Sequence, residues 1–280
     1  MDLRITTLSE NTAPAMPRGL LGEWGLSVLV EADGDTALLD AGQNVSAANN
    51  GEILGINWQK IGSIVLSHGH YDHTGGLRRV LGRIRKQVNI IAHPDAWDAK
   101  YAHIPQVNYS AYIGIPFQRQ ELESLGANFI LTREPTWLSE SIVTSGEIPM
   151  TTDYEVIDPG LCVKRDGNME PDPLRDDQAL FIKTEQGLVV ILGCAHRGII
   201  NTLRHARQVT GTEAIHTVIG GTHLFRASEV QMELTIAELK EMGIQRLGVS
   251  HCTGMLAGAR LAQEFGDSFF FNNAGTTITL

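Results

Sequence analysis

Residues 64–73 read Ile64-Val65-Leu66-Ser67-His68-Gly69-His70-Tyr71-Asp72-His73, an apolar run typical of a buried strand followed by three of the chain's ten histidines and a carboxylate. Imidazole and carboxylate groups are ligand types that suit zinc, iron and manganese. Gly69 permits a tight turn, so that His68 and His70 can converge on one ion while Asp72 and His73 hold a second. A polar loop that contains histidine by chance is the alternative, and the density of the cluster argues against it.

The composition indicates one well-packed domain without a nucleic-acid surface. The 280 residues are 42% hydrophobic, and we expect a single domain over residues 1–280 with a pocket-shaping insertion around 93–175. The net charge of −10 disfavours nucleic acid, which is bound mainly through lysine and arginine. We expect no secretory signal and no membrane span of roughly 20 apolar residues. The three cysteines indicate reduced thiols in the cytoplasm.

Periodicity predicts strands and helices that alternate after each of two hairpins. One hairpin is predicted at 26–41 around Asp33-Gly34-Asp35, and the other at 179–192 around Glu185-Gln186-Gly187. Ser46 is predicted to cap a helix, and so is Ser228, which has Gln231 three residues later.

Three predicted strands end beside histidines. Ser67 leads into His68, the strand that ends at Leu192 precedes His196, and Ser250 leads into His251. Because ligand sites in α/β folds gather at the carboxyl ends of strands, we expect these side chains to share one rim.

This combination resembles the metallo-β-lactamase-fold hydrolases. Their His-x-His-x-Asp-His signature is matched by residues 68–73, the aspartate at the end of an early strand by Asp40, and a late metal-binding histidine by His251. The resemblance covers most of the chain, least of all the stretch 93–175. It implies an α/β fold, the four-layer αβ/βα sandwich of that family.

Three further stretches are similar to the subgroup typified by dihydropterin–ribofuranosylaminobenzene phosphate synthase, namely 193–199, 220–224 and 250–254. The resemblance implies one or two divalent transition metal ions, with Zn²⁺ first and iron or manganese as alternatives. The ligands it implies are His68, His70, Asp72, His73, Cys194, His196 and His251.

The chain departs from the family pattern around the second hairpin. The family places a histidine before this hairpin and a bridging aspartate after it, whereas this chain has Asp176-Asp177-Gln178 before it and Cys194 after it. Cys194 is predicted to contact metal, and a buried apolar filler is the alternative. His196 is predicted to supply the missing imidazole, with a substrate contact or an ordinary polar residue as alternatives. Asp177 is a further candidate ligand, against a solvated loop carboxylate.

Other polar residues have predicted roles around the metal. Asp40 is expected to orient a ligand histidine without touching the ion. Asp72 is expected to hold both the second ion and the nucleophile, and His223 to act as general acid or substrate contact, with a capping histidine as the alternative. The remaining histidines are expected to be structural: His93, His103, His205 and His216.

The predicted insertion interleaves aromatic and polar residues in a run: Tyr101, His103, Asn108, Tyr109, Tyr112, Phe117 and Arg119. Tyr109 is expected to stack on a heterocycle and Arg119 to pair with a phosphate. A satellite core or a dimer contact is the alternative. The expected partners are a small-molecule substrate and no nucleic acid or membrane, with a homodimer as an option.

The function that the resemblance implies is hydrolysis of a small polar or phosphorylated ester-type substrate by metal-activated hydroxide. A synthase that joins a pterin diphosphate to an aminobenzene ribotide is the rival, and it needs the same rim. A non-catalytic metal-binding sensor is a further alternative, disfavoured by the intact ligand set. A nuclease of this fold is disfavoured by the acidic balance.

Overall fold

The computed structural model describes residues 2–107 and 109–280. The strands are β1 (Leu3–Ser9), β2 (Ser27–Ala32), β3 (Asp35–Leu39), β4 (Ser63–Val65), β5 (Val88–Ala92), β6 (Ala99–Ile104), β7 (Tyr109–Tyr112), β8 (Ala127–Leu131), β9 (Ile142–Thr144), β10 (Leu161–Arg165), β11 (Asn168–Pro171), β12 (Ala179–Thr184), β13 (Gly187–Leu192), β14 (Ile215–Gly221), β15 (Arg246–Ser250), β16 (Phe269–Phe271) and β17 (Thr277–Thr279). The α-helices are α1 (Ser46–Ile53), α2 (Tyr71–Thr74), α3 (Leu77–Ile84), α4 (Arg119–Ser124), α5 (Ile199–Thr210), α6 (Glu229–Glu241) and α7 (Met255–Phe265).

These strands form two large sheets and one small sheet. The seven-stranded sheet has the order β17-β1-β2-β3-β4-β5-β8, and the six-stranded sheet has the order β16-β15-β14-β13-β12-β9. The small sheet has the order β11-β10-β6-β7.

Both large sheets are buried on both faces, which produces four layers. Alternate residues of β12 point opposite ways, so that Leu180 and Ile182 pack between the sheets while Phe181 packs against α5 and α6. The seven-stranded sheet does the same, with Val65 facing the other sheet and Ile64 facing α3. The continuous apolar strands of the sequence follow from this double burial, and the predicted αβ/βα sandwich is confirmed.

The predicted hairpins are confirmed, but one predicted cap is wrong. The antiparallel pairs β2–β3 and β12–β13 are the two hairpins. The side chain of Ser228 accepts a hydrogen bond from the Gln231 amide at 3.1 Å, as predicted for α6. Ser46 is instead the first residue of α1, and the carboxylate of Glu23 accepts from its amide at 3.0 Å. A distant loop residue therefore supplies the acceptor that the local sequence led us to assign to Ser46.

The stretch 93–175 is only partly separate from the large sheets. Strand β8 extends the seven-stranded sheet beside β5, and β9 extends the six-stranded sheet beside β12. The small sheet is built from the remaining strands of this stretch, β6, β7, β10 and β11.

Parallel pairing brings the strand ends that matter to one edge. Strands β3, β4 and β5 run parallel, and so do β13, β14 and β15. Their carboxyl ends carry Asp40, the 68–73 loop, Cys194 and His251, which is the placement that the strand-end rule predicts. Over residues 2–107 and 109–280, no helix is long and apolar enough to cross a membrane.

Candidate metal centre

Imidazole and thiol groups meet at this rim in two groups that share Cys194. His68, Cys194 and His196 have ligand atoms within 4.8 Å of one another, and so do His73, Cys194 and His251. All five side chains are buried. Two groups with a common thiol form an arrangement that could hold two neighbouring ions.

The first group has neutral imidazoles that face a common point. The Nε2 atoms of His68 and His196 lie 3.2 Å apart, and the His70 ring lies edge-on to both, with centroids 4.5 and 5.0 Å away. Burial holds the pKa of His68 and of His196 well below the usual value, and lowers the pKa of His70 to about 3. Neutral rings keep the nitrogen lone pairs that metal binding needs.

The second group combines imidazole and thiol and has the Asp72 carboxylate beside it. The Nε2 atom of His251 lies 3.2 Å from Oδ2 of Asp72, and Nε2 of His73 lies 3.1 Å from Sγ of Cys194. Burial opposes protonation of His73, but Asp40 and Asp72 outweigh it and raise its pKa to about 9. Burial also raises the pKa of the Cys194 thiol. Metal binding would therefore displace protons from His73 and Cys194.

Asp40 is hydrogen-bonded to residues of this rim, and its predicted role of orienting a ligand histidine stays a prediction. One carboxylate oxygen accepts from the Ser67 amide at 2.7 Å. The other accepts from the Ser67 hydroxyl at 2.6 Å and lies 2.7 Å from Nδ1 of His73. Ser67 Oγ is also 2.9 Å from Nδ1 of His68. Asp40 therefore reaches two candidate ligands, one of them through Ser67.

His251 is held by residues after β1 that were not predicted. Oδ1 of Asn11 lies 3.0 Å from Nδ1 of His251, and the Glu10 carboxylate accepts from the His251 amide at 2.8 Å. The Trp24 ring packs on the His251 ring with centroids 4.8 Å apart. No motif marks these three residues; the only available signal is that Glu10 directly follows a strand.

A buried ion network holds the 68–73 loop from the side of the small sheet. Nζ of Lys100 donates to Asp172 at 2.7 Å and to Asp176 at 2.9 Å, and Asp176 accepts from the Gly69 amide at 2.8 Å. Gly69 is required there because a Cβ atom would collide with the carbonyl oxygen of Ala96. Close approach to this carbonyl, and not only the tight turn that we predicted, demands glycine at this position.

Backbone strain gathers at the rim. Asp40, Ala195, His223 and His251 have φ angles of +59°, +52°, +51° and +52°. Non-glycine residues in this region cost of the order of 1–3 kcal/mol each, and such residues cluster at functional sites. The strain supports a functional origin for the arrangement of the rim.

His223 and Asp177 lie next to the first group. The His223 ring is 4.2 Å from the His196 ring between centroids, and burial lowers its pKa to about 4. Asp177 is buried and not solvated; its Oδ2 accepts from the Arg197 amide at 2.9 Å. Burial raises the pKa of Asp177 to about 7. The substrate role of His223 stays a prediction. Asp177, through its hydrogen bond with the Arg197 amide, holds the loop that carries His196.

The predicted substrate residues Tyr109 and Arg119 have contacts elsewhere. Nε of Arg119 donates to Glu123 at 2.7 Å, and its guanidinium lies over the Phe129 ring. Tyr109 lies exposed on β7 of the small sheet. No hydrogen bond or ring contact in the described parts of the chain joins either residue to the rim. Asn108 lies outside the described residues.

The four histidines predicted to be structural each have a hydrogen-bond partner. These pairs are His93 with Glu147, His103 with Ser110, His205 with Ser145 and His216 with Thr217.

The donor set suits divalent transition metals. Nε2 of His70 and Nδ1 of His196 are buried without a hydrogen-bond partner in the described structure. Burying an unpaired polar atom costs folding free energy, and a bound metal ion would give such an atom a partner. Imidazole, thiolate and carboxylate are together the set that binds zinc and its neighbours. We conclude that the residues of the rim fit one or two such ions.

The fold and this rim define a class of protein. The profile of the Metallo-beta-lactamase superfamily matches residues 25–196, and the chain belongs to this superfamily. The chain is an enzyme of this superfamily, related to a protein described as a metal-dependent hydrolase and to a synthase.

Individual relatives extend over the whole chain. The chain is 32% identical over 288 residues to 7,8-dihydropterin-6-methyl-4-(beta-D-ribofuranosyl)-aminobenzene-5'-phosphate synthase of Methanocaldococcus jannaschii. The alignment covers 99% of this chain and 96% of that protein. It is 31% identical to an uncharacterized protein of the same organism, over 98% of this chain and 99% of that one. The crystal structure of Tm1679, described as a metal-dependent hydrolase, superimposes with a TM-score of 0.84 at 29% identity and 99% coverage of both chains.

Asp40→Asn should weaken metal binding about 10- to 100-fold, because outer groups of this kind orient the ligands. The amide nitrogen would face the Ser67 hydroxyl and Nδ1 of His73 in place of the Oδ2 oxygen. Competition with a chelator of known affinity measures the change. Wild-type metal affinity in this variant would show that Asp40 serves folding alone.

Cys194→Ser should reduce the metal content and abolish the thiolate-to-metal charge-transfer absorption of a cobalt-substituted protein, since Sγ belongs to both groups. Cys162→Ser on β10 is the matched control and should keep the wild-type spectrum. Identical spectra for the two variants would leave Cys194 as a packing residue.

Lys100→Met should destabilise the fold by about 3–5 kcal/mol, because it leaves two buried carboxylates without their cation. Denaturant unfolding measures this loss. The Lys100→Met, Asp172→Asn, Asp176→Asn triple variant should recover part of it. A change below about 1 kcal/mol in the single variant would contradict the network's role.

Proposed function

We propose that this protein is a metallohydrolase with two metal ions that cleaves a small phosphorylated or ester-type substrate. The observation that carries the proposal is the buried rim in which two ligand groups share Cys194. Zinc is the proposed metal, because imidazole, thiolate and carboxylate ligands together suit it. We place the protein in the cytoplasm, where its three cysteines stay reduced.

The residues of the rim have different roles in the proposed reaction. A divalent ion held by these residues would supply Lewis-acid chemistry and would lower the pKa of a water that it binds towards about 7. Asp72, which lies at hydrogen-bonding distance from His251, accepts a hydrogen bond from the attacking water and orients it. His223, whose ring packs against the ring of His196, contacts the part of the substrate that leaves. The burial of His68, His70 and His196 excludes bulk water from the ligands.

A synthase is the second candidate, and a specific observation favours it. The 32% identity to the aminobenzene-phosphate synthase extends over nearly the full length of both proteins. In such a reaction the amine of an aminobenzene ribotide would bond to the methylene carbon of a pterin diphosphate. The bond from that carbon to the diphosphate oxygen would break, and the same rim would bind the departing diphosphate. The metal ligands are common to both candidates, so only turnover separates them.

Asp72→Ala should abolish turnover while the fold survives, because the change removes a rim carboxylate and little core volume. The zinc-loaded protein is assayed on phosphodiesters and simple esters, and on dihydropterin diphosphate with an aminobenzene ribotide. Asp267→Ala, an exposed carboxylate beyond α7, is the control and should keep full activity. Turnover of the first class alone supports the hydrolase, and of the second class the synthase. Near-normal activity of Asp72→Ala, or turnover of neither class, would overturn the proposal.

A further inference from the structure

A cavity of about 650 Å³ lies beside the metal rim and has an aromatic lining. Trp24, Phe225 and Phe271 provide three rings, Met255 lies at the edge, and His251 forms part of the wall. This volume is within the range of roughly 300–1,000 Å³ that is typical of small-molecule sites. We call it the aromatic cavity.

The three rings are half exposed although they are large and apolar. Trp24, Phe225 and Phe271 are 48%, 46% and 51% exposed, and Met255 beside them is 88% exposed. Apolar surface in water costs about 25 cal/mol per Å², so a folded chain normally buries such groups. Contiguous exposed apolar surface with a concave shape marks a binding site.

Two glycines of the α7 region make room for two of the rings. A Cβ atom at Gly254 would come within 2.7 Å of the Phe225 Cβ, and Gly254 also has a φ of +76°. A Cβ atom at Gly258 would come within 2.9 Å of the Phe271 ring. The positions of both phenylalanines therefore depend on the absence of a side chain opposite them.

The aromatic cavity continues directly from the rim. The Trp24 ring packs on His251 at 4.8 Å, and the Phe225 ring lies edge-on to His223 at 5.1 Å. A molecule in the cavity would therefore lie against the His251 imidazole and against the Phe225 ring that contacts His223.

The lining favours a neutral part of a ligand. Among the described residues that line the cavity there is no lysine or arginine. The Glu10 carboxylate in the wall is occupied, because it accepts from the amides of His251 and Thr12. The amide of Asn273 at the edge offers a donor and an acceptor for a ring nitrogen or amine.

We propose that the aromatic cavity binds the uncharged, nitrogen-bearing aromatic ring of the substrate, stacked against Trp24 and Phe225. The proposal rests on the proposed function, since it deepens the substrate class of the same site. A pterin and an aminobenzene share this ring chemistry, and both occur in the name of the synthase relative. The concave shape of the cavity and its position beside His251 favour a ring over a second copy of the chain as occupant.

The test is calorimetric titration of the protein as isolated with 6-hydroxymethylpterin and, separately, 4-aminobenzyl alcohol. Trp24→Ala and Phe225→Ala should each weaken the better-bound ring about tenfold, in line with the usual strength of stacking. Trp24→Phe should restore most of the affinity. Trp137→Ala is the matched control, because Trp137 is 47% exposed, does not line the cavity and lies beside Val143 of β9, an edge strand of the six-stranded sheet. Metal content is measured for each variant.

The proposal is supported, for whichever ring responds, if Trp24→Ala and Phe225→Ala lose affinity at unchanged metal content. The control Trp137→Ala should stay within about twofold of wild type. Equal affinity in all variants, no binding of either ring to the wild type, or a dimer that Trp24→Ala converts to a monomer in light scattering would overturn it. The two proposals can fail separately. Turnover without any effect of the variants on ring binding rejects only the cavity, and ring binding without turnover rejects only the enzyme function.

Discussion

The buried carboxylate of Asp40 is the group on which the metal centre depends. Its oxygens are saturated by the Ser67 amide, the Ser67 hydroxyl and Nδ1 of His73, all within 2.7 Å. A carboxylate removed from water is stable only with such donors, so its position fixes theirs. Through His73, whose Nε2 is 3.1 Å from Sγ of Cys194, this constraint crosses from one large sheet to the other. The two sheets are thus held in fixed relative positions at the point where the ligands meet.

Small residues let the strand ends come close enough for this contact. A side chain at Gly193 would collide with the Ser67 side chain, and one at Gly221 would come within 2.6 Å of the Cys252 sulfur. Larger residues there would push the carboxyl ends of β4, β13 and β14 apart. The distances between the imidazole and thiol groups would grow with them. The glycines next to the motifs are therefore as much a part of the site as the ligands are.

Features that depend on neighbouring residues could be predicted from the sequence, whereas contacts between residues far apart in the chain could not. The 68–73 loop, His196 and His251 were placed by a local rule, because each lies next to the end of an apolar strand. Asn11 and Glu10 contact His251 across about 240 residues, and Lys100 meets Asp176 across 76, and no local pattern records such pairings. The wrong cap at Ser46 has the same cause, because Glu23 arrives from another loop. Likewise, the aromatic run at 101–119 was visible as composition, whereas the rings beside the rim come from three separated segments.

The charges around the rim explain why metal and aromatic cavity would divide the recognition of a substrate. Lys100 is paired with Asp172 and Asp176, and Arg226 is paired with Asp158, so these cations are already neutralised. In a chain of net charge −10, an anionic group approaching the rim meets little free positive charge from such side chains. Metal ions held by the two ligand groups would provide it. The rings of the cavity supply a flat apolar surface, which would attract the uncharged part of the same molecule. Under both proposals, a substrate with a phosphate at one end and a ring at the other would satisfy both surfaces at once, and neither surface alone would select it.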